Sequence, residues 1–286
     1  MKKSIFLVMI LFPIMVSAAE YKLESVWATD RVLQVPESVL YNPADSLLYI
    51  SNINGSSAAA DSNGFISKVA LDGTIVNLEW VTGLNAPKGS GIFLDKMYVT
   101  DIDHLVEIDM RTAKILNRYP APGAKFLNDV AIDTAGHVYI SDSSKENSVI
   151  YRFSAGKCEV WARGKEIKST NGLLLEGQEL FIGNSGDGSL KAIDLATRKV
   201  RQVAAAGFGI DGLRADGHGN WLVSDWSGRT AMVDAAGQVK VLLDTAKQKI
   251  NSADIEYIPG MNLLLIPTFF DNRVMGYRLV PDMKRN

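Results

Sequence analysis

Tyr139-Ile140-Ser141-Asp142 decides the fold, because the chain repeats it. Two β-favouring residues are followed by a small residue and then by Asp or Asn. The pattern recurs as Tyr49-Ile50-Ser51-Asn52, Tyr98-Val99-Thr100-Asp101, Phe181-Ile182-Gly183-Asn184 and Leu222-Val223-Ser224-Asp225, and in degenerate form as Leu265-Ile266-Pro267-Thr268. A second landmark precedes the last residue of each copy by 13 to 15 positions. It reads Glu37-Ser38-Val39, Lys88-Gly89-Ser90, Asn128-Asp129-Val130, Asn171-Gly172-Leu173, Asp211-Gly212-Leu213 and Asp254-Ile255-Glu256. Its first positions lie 51, 40, 43, 40 and 43 residues apart. Long helical periodicity is absent, and turn signals such as Asp72-Gly73, Ala135-Gly136 and Ala236-Gly237 separate short strands. Six units of this length, each with room for four short strands, predict an all-β, six-bladed β-propeller.

Blade five shows the strand plan. Leu213 to Asp216 is the inner strand, Trp221 to Ser224 the second, Ala231 to Asp234 the third and Val239 to Leu243 the outer one. Tyr21 to Gln34 precedes the first landmark and is expected to supply the outer strand of the last blade, closing the ring and protecting its edges. Adjacent strands of a meander run antiparallel, so each landmark lies on the same face as the turn after the second strand.

The N-terminus is expected to be removed. Lys2 and Lys3 precede an apolar run from Ser4 to Val16, followed by the small residues Ser17, Ala18 and Ala19. The run is too short to span a bilayer and reads as a bacterial secretory signal, with cleavage after Ala18 or Ala19. The expected organisation is a signal peptide at 1–19 and one propeller domain at 20–286, exported to the periplasm. No basic stripe accompanies the net charge of −2, which argues against a nucleic-acid partner. Cys158 is the single cysteine and forms no internal disulfide, so the core must supply the stability.

Glu37, Lys88, Asn128, Asn171, Asp211 and Asp254 start the inner strands from one face and surround the tunnel. Glu37, Asn128, Asn171 and Asp211 form a set of hard oxygen donors, two carboxylates and two carboxamides. A calcium ion takes about six to eight oxygens at flexible geometry, so this quartet leaves positions for water or substrate. Magnesium takes the same donors but keeps more waters. Zinc is disfavoured, because there is no His or Cys cluster and no HExxH. Each Asn or Asp taken alone reads more readily as a turn cap than as a ligand. Their shared position around a ring favours a common ligand.

The quartet, as it stands in Pro36-Glu37-Ser38, Phe126-Leu127-Asn128-Asp129, Ser169-Thr170-Asn171-Gly172 and Gly209-Ile210-Asp211-Gly212, resembles the gluconolactonase, regucalcin and luciferin-regenerating enzyme family. The wider group includes diisopropylfluorophosphatase and the paraoxonases, also calcium-dependent six-bladed propellers. The similarity runs from about Glu37 to Leu279 and rests on the order and spacing of short motifs. It implies that Glu37, Asn128, Asn171 and Asp211 hold a divalent metal, with Asp211 also a candidate for direct chemistry. It implies a calcium-dependent hydrolase of lactones or related esters acting on a small-molecule substrate. The repeat also resembles NHL-type propellers, which implies the alternative of a non-catalytic binding platform with a structural metal and a protein partner.

Lys88 departs from the family pattern. Two roles are open to it: binding a substrate carboxylate or phosphate, or pairing with Asp254 across the ring. Asp254 and His104 are the other candidate substrate contacts, His104 being the one histidine placed on the ring's face. Asn52, Asp101, Asp142, Asn184 and Asp225 end second strands further out on that face and are expected to cap the turns that follow. The small, polar insertion Asn54 to Asn63 in blade one either covers the site or carries no function. Gly207-Phe208-Gly209-Ile210-Asp211-Gly212 matches a dinucleotide fingerprint by letter but lacks its βαβ context.

Overall fold

Burial explains the strands before topology does. The second strand of each blade is buried along almost its whole length, as in Val138–Asp142 and Trp221–Asp225. It packs against neighbouring blades on both faces, so it reads as a continuous apolar run and not as an alternating one. Outer strands such as Lys114–Pro120 are mostly exposed.

The computed structural model describes residues 20–145 and 148–282. The expected signal peptide lies outside the described residues. The chain forms six sheets of four antiparallel strands, with almost no helix. Blade one is Pro36–Asn42, Leu47–Asn52, Gly64–Ala70 and Ile75–Leu84. Blade two is Pro87–Phe93, Lys96–Asp101, His104–Asp109 and Lys114–Pro120. Blade three is Leu127–Ile132, Val138–Asp142, Val149–Ser154 and Lys157–Arg163. Blade four is Thr170–Glu176, Glu179–Asn184, Ser189–Asp194 and Val200–Ala205. Blade five is Leu213–Ala215, Trp221–Asp225, Arg229–Val233 and Val239–Asp244.

Blade six closes the ring. Glu256–Ile258, Leu263–Pro267 and Val274–Pro281 are completed by the N-terminal strand Tyr21–Ala28, which pairs antiparallel with Val274–Pro281. This strand stops at Ala28, short of Gln34. Beyond it the backbone amides turn to side chains, Gln34 N–H donating to Asn52 Oδ1 and Val35 N–H to Asn272 Oδ1. A second closure lies at the tunnel wall. Asp254 N–H donates to the Glu37 carbonyl at 2.9 Å, and Val39 N–H to the Asp254 carbonyl at 3.3 Å.

The core is distributed between blades. Tyr98 and Leu105 of blade two pack with Val138, Ile140 and Tyr151 of blade three. Val39, Leu48 and Ile50 of blade one pack with Leu263, Leu265 and Val274 of blade six. Cys158 is buried in the first of these clusters, where loss of solvation pushes its thiol up to about 12. Among the described residues, no helix is long and apolar enough to cross a membrane.

Candidate functional site

Irregularities in the inner strands deliver the ring side chains. The pairing between first and second strands shifts register between Pro36 and Ser38, Pro87 and Ser90, Leu127 and Val130, and Thr170 and Leu173. Glu37, Lys88, Asn128 and Asn171 sit at these bulges. A bulge takes a residue out of the ladder and re-aims its side chain. Small residues then let the inner strands converge. A Cβ on Gly172 would lie 2.5 Å from the Asp211 carbonyl oxygen, and one on Gly89 would lie 2.7 Å from that of Asn128.

The repeat side chains fix this arrangement. Ser141 Oγ donates to the Asn171 carbonyl at 2.7 Å, and Ser224 Oγ to the Ala253 carbonyl at 2.6 Å. Each small hydroxyl thereby ties one blade to the strand start of the next. Asp101 accepts the Asn85 and Ala86 amides, Asp142 those of Lys125 and Phe126, and Asn184 that of Lys168. All three side chains therefore hold the loop entering their own blade, and Asp142 alone of them also caps the turn that follows, accepting the Ser144 amide at 3.0 Å. The held amides lie two or three residues before the ring positions Lys88, Asn128 and Asn171.

Glu37, Lys88, Asn128, Asn171 and Asp211 share one cavity of about 350 Å³ at the tunnel mouth. All five are buried. The two amides are held by their nitrogen ends: Asn171 Nδ2 donates to Asp211 Oδ1 at 2.7 Å, and Asn128 Nδ2 to Ser143 Oγ at 3.3 Å. Asn128 Oδ1, Asn171 Oδ1 and Glu37 Oε2 have no hydrogen-bond partner. A buried acceptor left unpaired costs about 1–3 kcal/mol, more when charged.

Electrostatics sharpen the picture. Burial, then the charges of Asp211 and Asp254, push the Glu37 carboxyl well above its usual range, against the pull of Lys88. Burial, then Asp254, Asp129 and Asp225, does the same to Asp211, against its hydrogen bond from Asn171. Among the described residues, no group of three or more His, Cys, Asp or Glu side chains is placed to hold a metal. The quartet has only two such groups, and its other oxygens are carboxamide oxygens.

Lys88 has 1% of its surface exposed. Its Nζ donates to the carbonyls of Ser57 and Ala86, each at 3.0 Å, and lies 4.4 Å from the centre of the Phe126 ring. Burial lowers it to about 8, with Glu37 and Asp101 opposing. Its bond to Ser57 draws the blade-one insertion over the cavity, whose wall includes Ser57. Lys88 does not pair with Asp254. That carboxylate belongs to a layer beside Arg214, with Ser38 Oγ donating to its Oδ2 at 2.7 Å and Arg214 Nη1 at 3.7 Å from its Oδ1. Glu256, 3.3 Å from Arg214 Nε, and buried Asp129 complete this layer electrostatically. Neither Asp254 nor His104 lines the cavity. His104 Nδ1 instead meets Asp103 Oδ1 at 2.6 Å on the surface.

Sequence reading missed a second ring. The residues immediately after the repeat, Ile53, Ser143, Ser185, Trp226 and Phe269, all line the cavity. Ile102, at the corresponding position of blade two, packs beside Ile53 and Phe269 without lining it. The signal was present: each residue follows the last repeat position on the ring's face. Phe126 and Phe270 add further aromatic wall.

Comparison with solved structures comes down to this architecture. A gluconolactonase from Xanthomonas campestris aligns with a TM-score of 0.68 at 14% identity, covering 91% of this chain and 90% of that one. The chain shares the gluconolactonase fold. A streptogramin B lyase aligns with a TM-score of 0.65 at 11% identity, covering 91% of this chain and 98% of that one. A chain of a nidogen–laminin complex aligns with a TM-score of 0.59 at 17% identity, covering 71% of this chain and 77% of that one. At these identities the likeness is one of fold. No family model matches the chain, and no curated protein matches its sequence.

Proposed function

We propose that this protein is an exported, calcium-dependent hydrolase of lactones or related esters, with Glu37, Asn128, Asn171 and Asp211 as the residues that hold the ion. One observation carries the reading. Three buried oxygens, Glu37 Oε2, Asn128 Oδ1 and Asn171 Oδ1, face a shared cavity without hydrogen-bond partners, and Asp211 stands beside them. Hard, mostly neutral oxygen donors of this kind suit calcium, and the two carboxylates balance its charge. When bound, the ion supplies the positive charge that polarises an ester carbonyl and stabilises the oxyanion.

The chain's own residues then have defined tasks. Asn171 orients Asp211 through the Oδ1 hydrogen bond, leaving the second carboxylate oxygen for a proton. Asp211 accepts a proton from water as the water oxygen bonds to the carbonyl carbon. It returns that proton to the leaving alkoxide when the ester C–O bond breaks. A lactone thereby opens to its hydroxy acid, with no other reactant consumed. Lys88 holds Ser57 and its loop at the mouth of the cavity, limiting access of water.

The rival is a binding platform in which the ion only stiffens the tunnel. The nidogen–laminin relative in fold favours keeping it in view. A panel of lactones, aryl esters and phosphotriesters, assayed with calcium and with chelator, separates the two. Chelator-sensitive turnover supports the hydrolase. A calcium-dependent melting shift without turnover of any of the three classes supports the platform.

A further inference from the structure

The cavity wall is two-sided. Trp226 of blade five, Phe269 and Phe270 of blade six and Ile53 of blade one form a contiguous apolar arc. The three aromatic rings stack edge to face, with centroids 5.5 Å apart for Trp226 and Phe269, 6.0 Å for Trp226 and Phe270, and 4.7 Å for Phe269 and Phe270. Phe269 is buried, but Trp226 and Phe270 keep 44% and 63% of their surface exposed. Exposing two large aromatic side chains side by side is costly for a soluble surface, and such patches mark binding sites.

The opposite arc is poor in available donors. Lys88 Nζ spends two of its three N–H groups on carbonyls, Ser185 Oγ donates to the Ile210 carbonyl at 2.7 Å, and Ser143 Oγ to the Phe126 carbonyl at 3.4 Å. The Asn128 and Asn171 amide nitrogens donate to Ser143 and Asp211. With the Glu37, Asn128 and Asn171 oxygens committed to the ion, a polyhydroxylated ligand would have to lose water around every hydroxyl and would find, among these side chains, little beyond the third Lys88 N–H in return. Each imperfectly paired buried polar group counts against binding.

We propose that the substrate carries an aromatic or extended alkyl group beside its ester or lactone carbonyl, and that this group seats on Trp226, Phe269 and Phe270. The carbonyl end faces the oxygen quartet, and sugar lactones are poor substrates. The substrate class rests on the hydrolase reading; seating of an apolar ligand on the aromatic arc does not.

The test has a kinetic arm and a binding arm. In the first, kcat/KM is measured for δ-decalactone, unsubstituted δ-valerolactone and D-gluconolactone with the wild type, Trp226→Ala and Phe270→Ala. Both substituted residues are exposed, so the variants are expected to fold. In the second, calorimetry measures binding of pentylcyclohexanone, an apolar ketone that cannot be hydrolysed. δ-Decalactone is expected to be preferred over D-gluconolactone, and either substitution is expected to lower its kcat/KM by about tenfold or more while changing δ-valerolactone by less than about threefold. Ketone binding is expected to weaken in parallel. If no lactone turns over but the ketone binds and depends on Trp226, the aromatic seat stands and the hydrolase reading falls. If D-gluconolactone is preferred, or both substitutions leave δ-decalactone turnover and ketone binding unchanged, the inference is overturned and the hydrolase reading survives. Loss of self-association in sedimentation, with ketone binding intact, would reassign the aromatics to a protein-docking face and also overturn it.

Discussion

Asn171 donates its side-chain amide to Asp211 Oδ1 across 2.7 Å, joining the ring position of blade four to that of blade five. The bond spends the nitrogen of Asn171 and leaves its oxygen unpartnered toward the cavity. It orients an acid and presents a ligand oxygen at once. Asn171→Leu keeps the volume and removes both functions. Calcium affinity is expected to fall by about tenfold or more, since a hydrogen bond to a charged group is worth about 1.5–3 kcal/mol and a ligand is lost as well. Titration calorimetry reads this directly. Unchanged affinity would place the ion elsewhere.

Glu37 and Asp211 should be indispensable together. Glu37→Gln keeps an oxygen but removes a charge, and Asp211→Ala removes both an oxygen and the proposed base. Both variants are expected to lose turnover and to bind calcium more weakly. Circular dichroism should report an intact fold, because each removes a buried carboxyl whose ionisation is disfavoured. Wild-type turnover in Asp211→Ala would remove that residue from the chemistry.

The same two carboxyls predict a pH dependence. Burial and like charges raise both above their unfolded values. The metal-free folded protein therefore binds more protons than the unfolded chain across that window. Stability from this source is complete below the ordinary carboxylate range and is lost as pH rises through the raised folded values. Lys88, lowered to about 8, works in the opposite sense and only near and above that value. The Tm of chelator-treated protein is expected to fall as pH rises above the ordinary carboxylate range, and saturating calcium should flatten the slope. A calorimetric scan at each pH checks it. A rising Tm without metal would contradict the account.

Lys88 should oppose the ion it sits beside. It lines the same cavity as Glu37, whose negative charge favours the protonated amine against burial. Lys88→Met keeps the buried stem and removes the charge. Calcium affinity is expected to rise several-fold, on the order of 1 kcal/mol for removing one nearby like charge. Hydrogen exchange at Asn54 to Asn63 should quicken, because the bond to the Ser57 carbonyl is gone. Weaker calcium binding with unchanged exchange would make Lys88 a ligand-side residue instead of a clasp.

Much of this molecule was legible in its sequence, for a physical reason. Second strands are buried on both faces, so Tyr139-Ile140-Ser141-Asp142 and its copies appear as compact apolar runs with a fixed ending. That ending is fixed because Ser141 reaches the next blade and Asp142 binds the loop before Asn128. That Glu37, Asn128, Asn171 and Asp211 meet at one cavity was legible because their spacing from the repeat puts each at the start of an inner strand, the first three at bulges. Arg214 was not, since a lone Arg in a short inner strand gives no sign of partners 40 or more residues away at Asp254 and Glu256. Asp254 was assigned to the mouth because its spacing matches the ring, whereas Ser38 and Arg214 hold it in a different layer. The partners of Lys88 are main-chain carbonyls, which carry no side-chain signature.

The most direct measurement is calcium titration of chelator-treated protein by calorimetry, run on the wild type and on Glu37→Gln in buffers of different ionisation enthalpy. The account predicts one saturable site, proton release on binding, and clear weakening in Glu37→Gln. No binding to the wild type, or equal binding by both proteins, would contradict it.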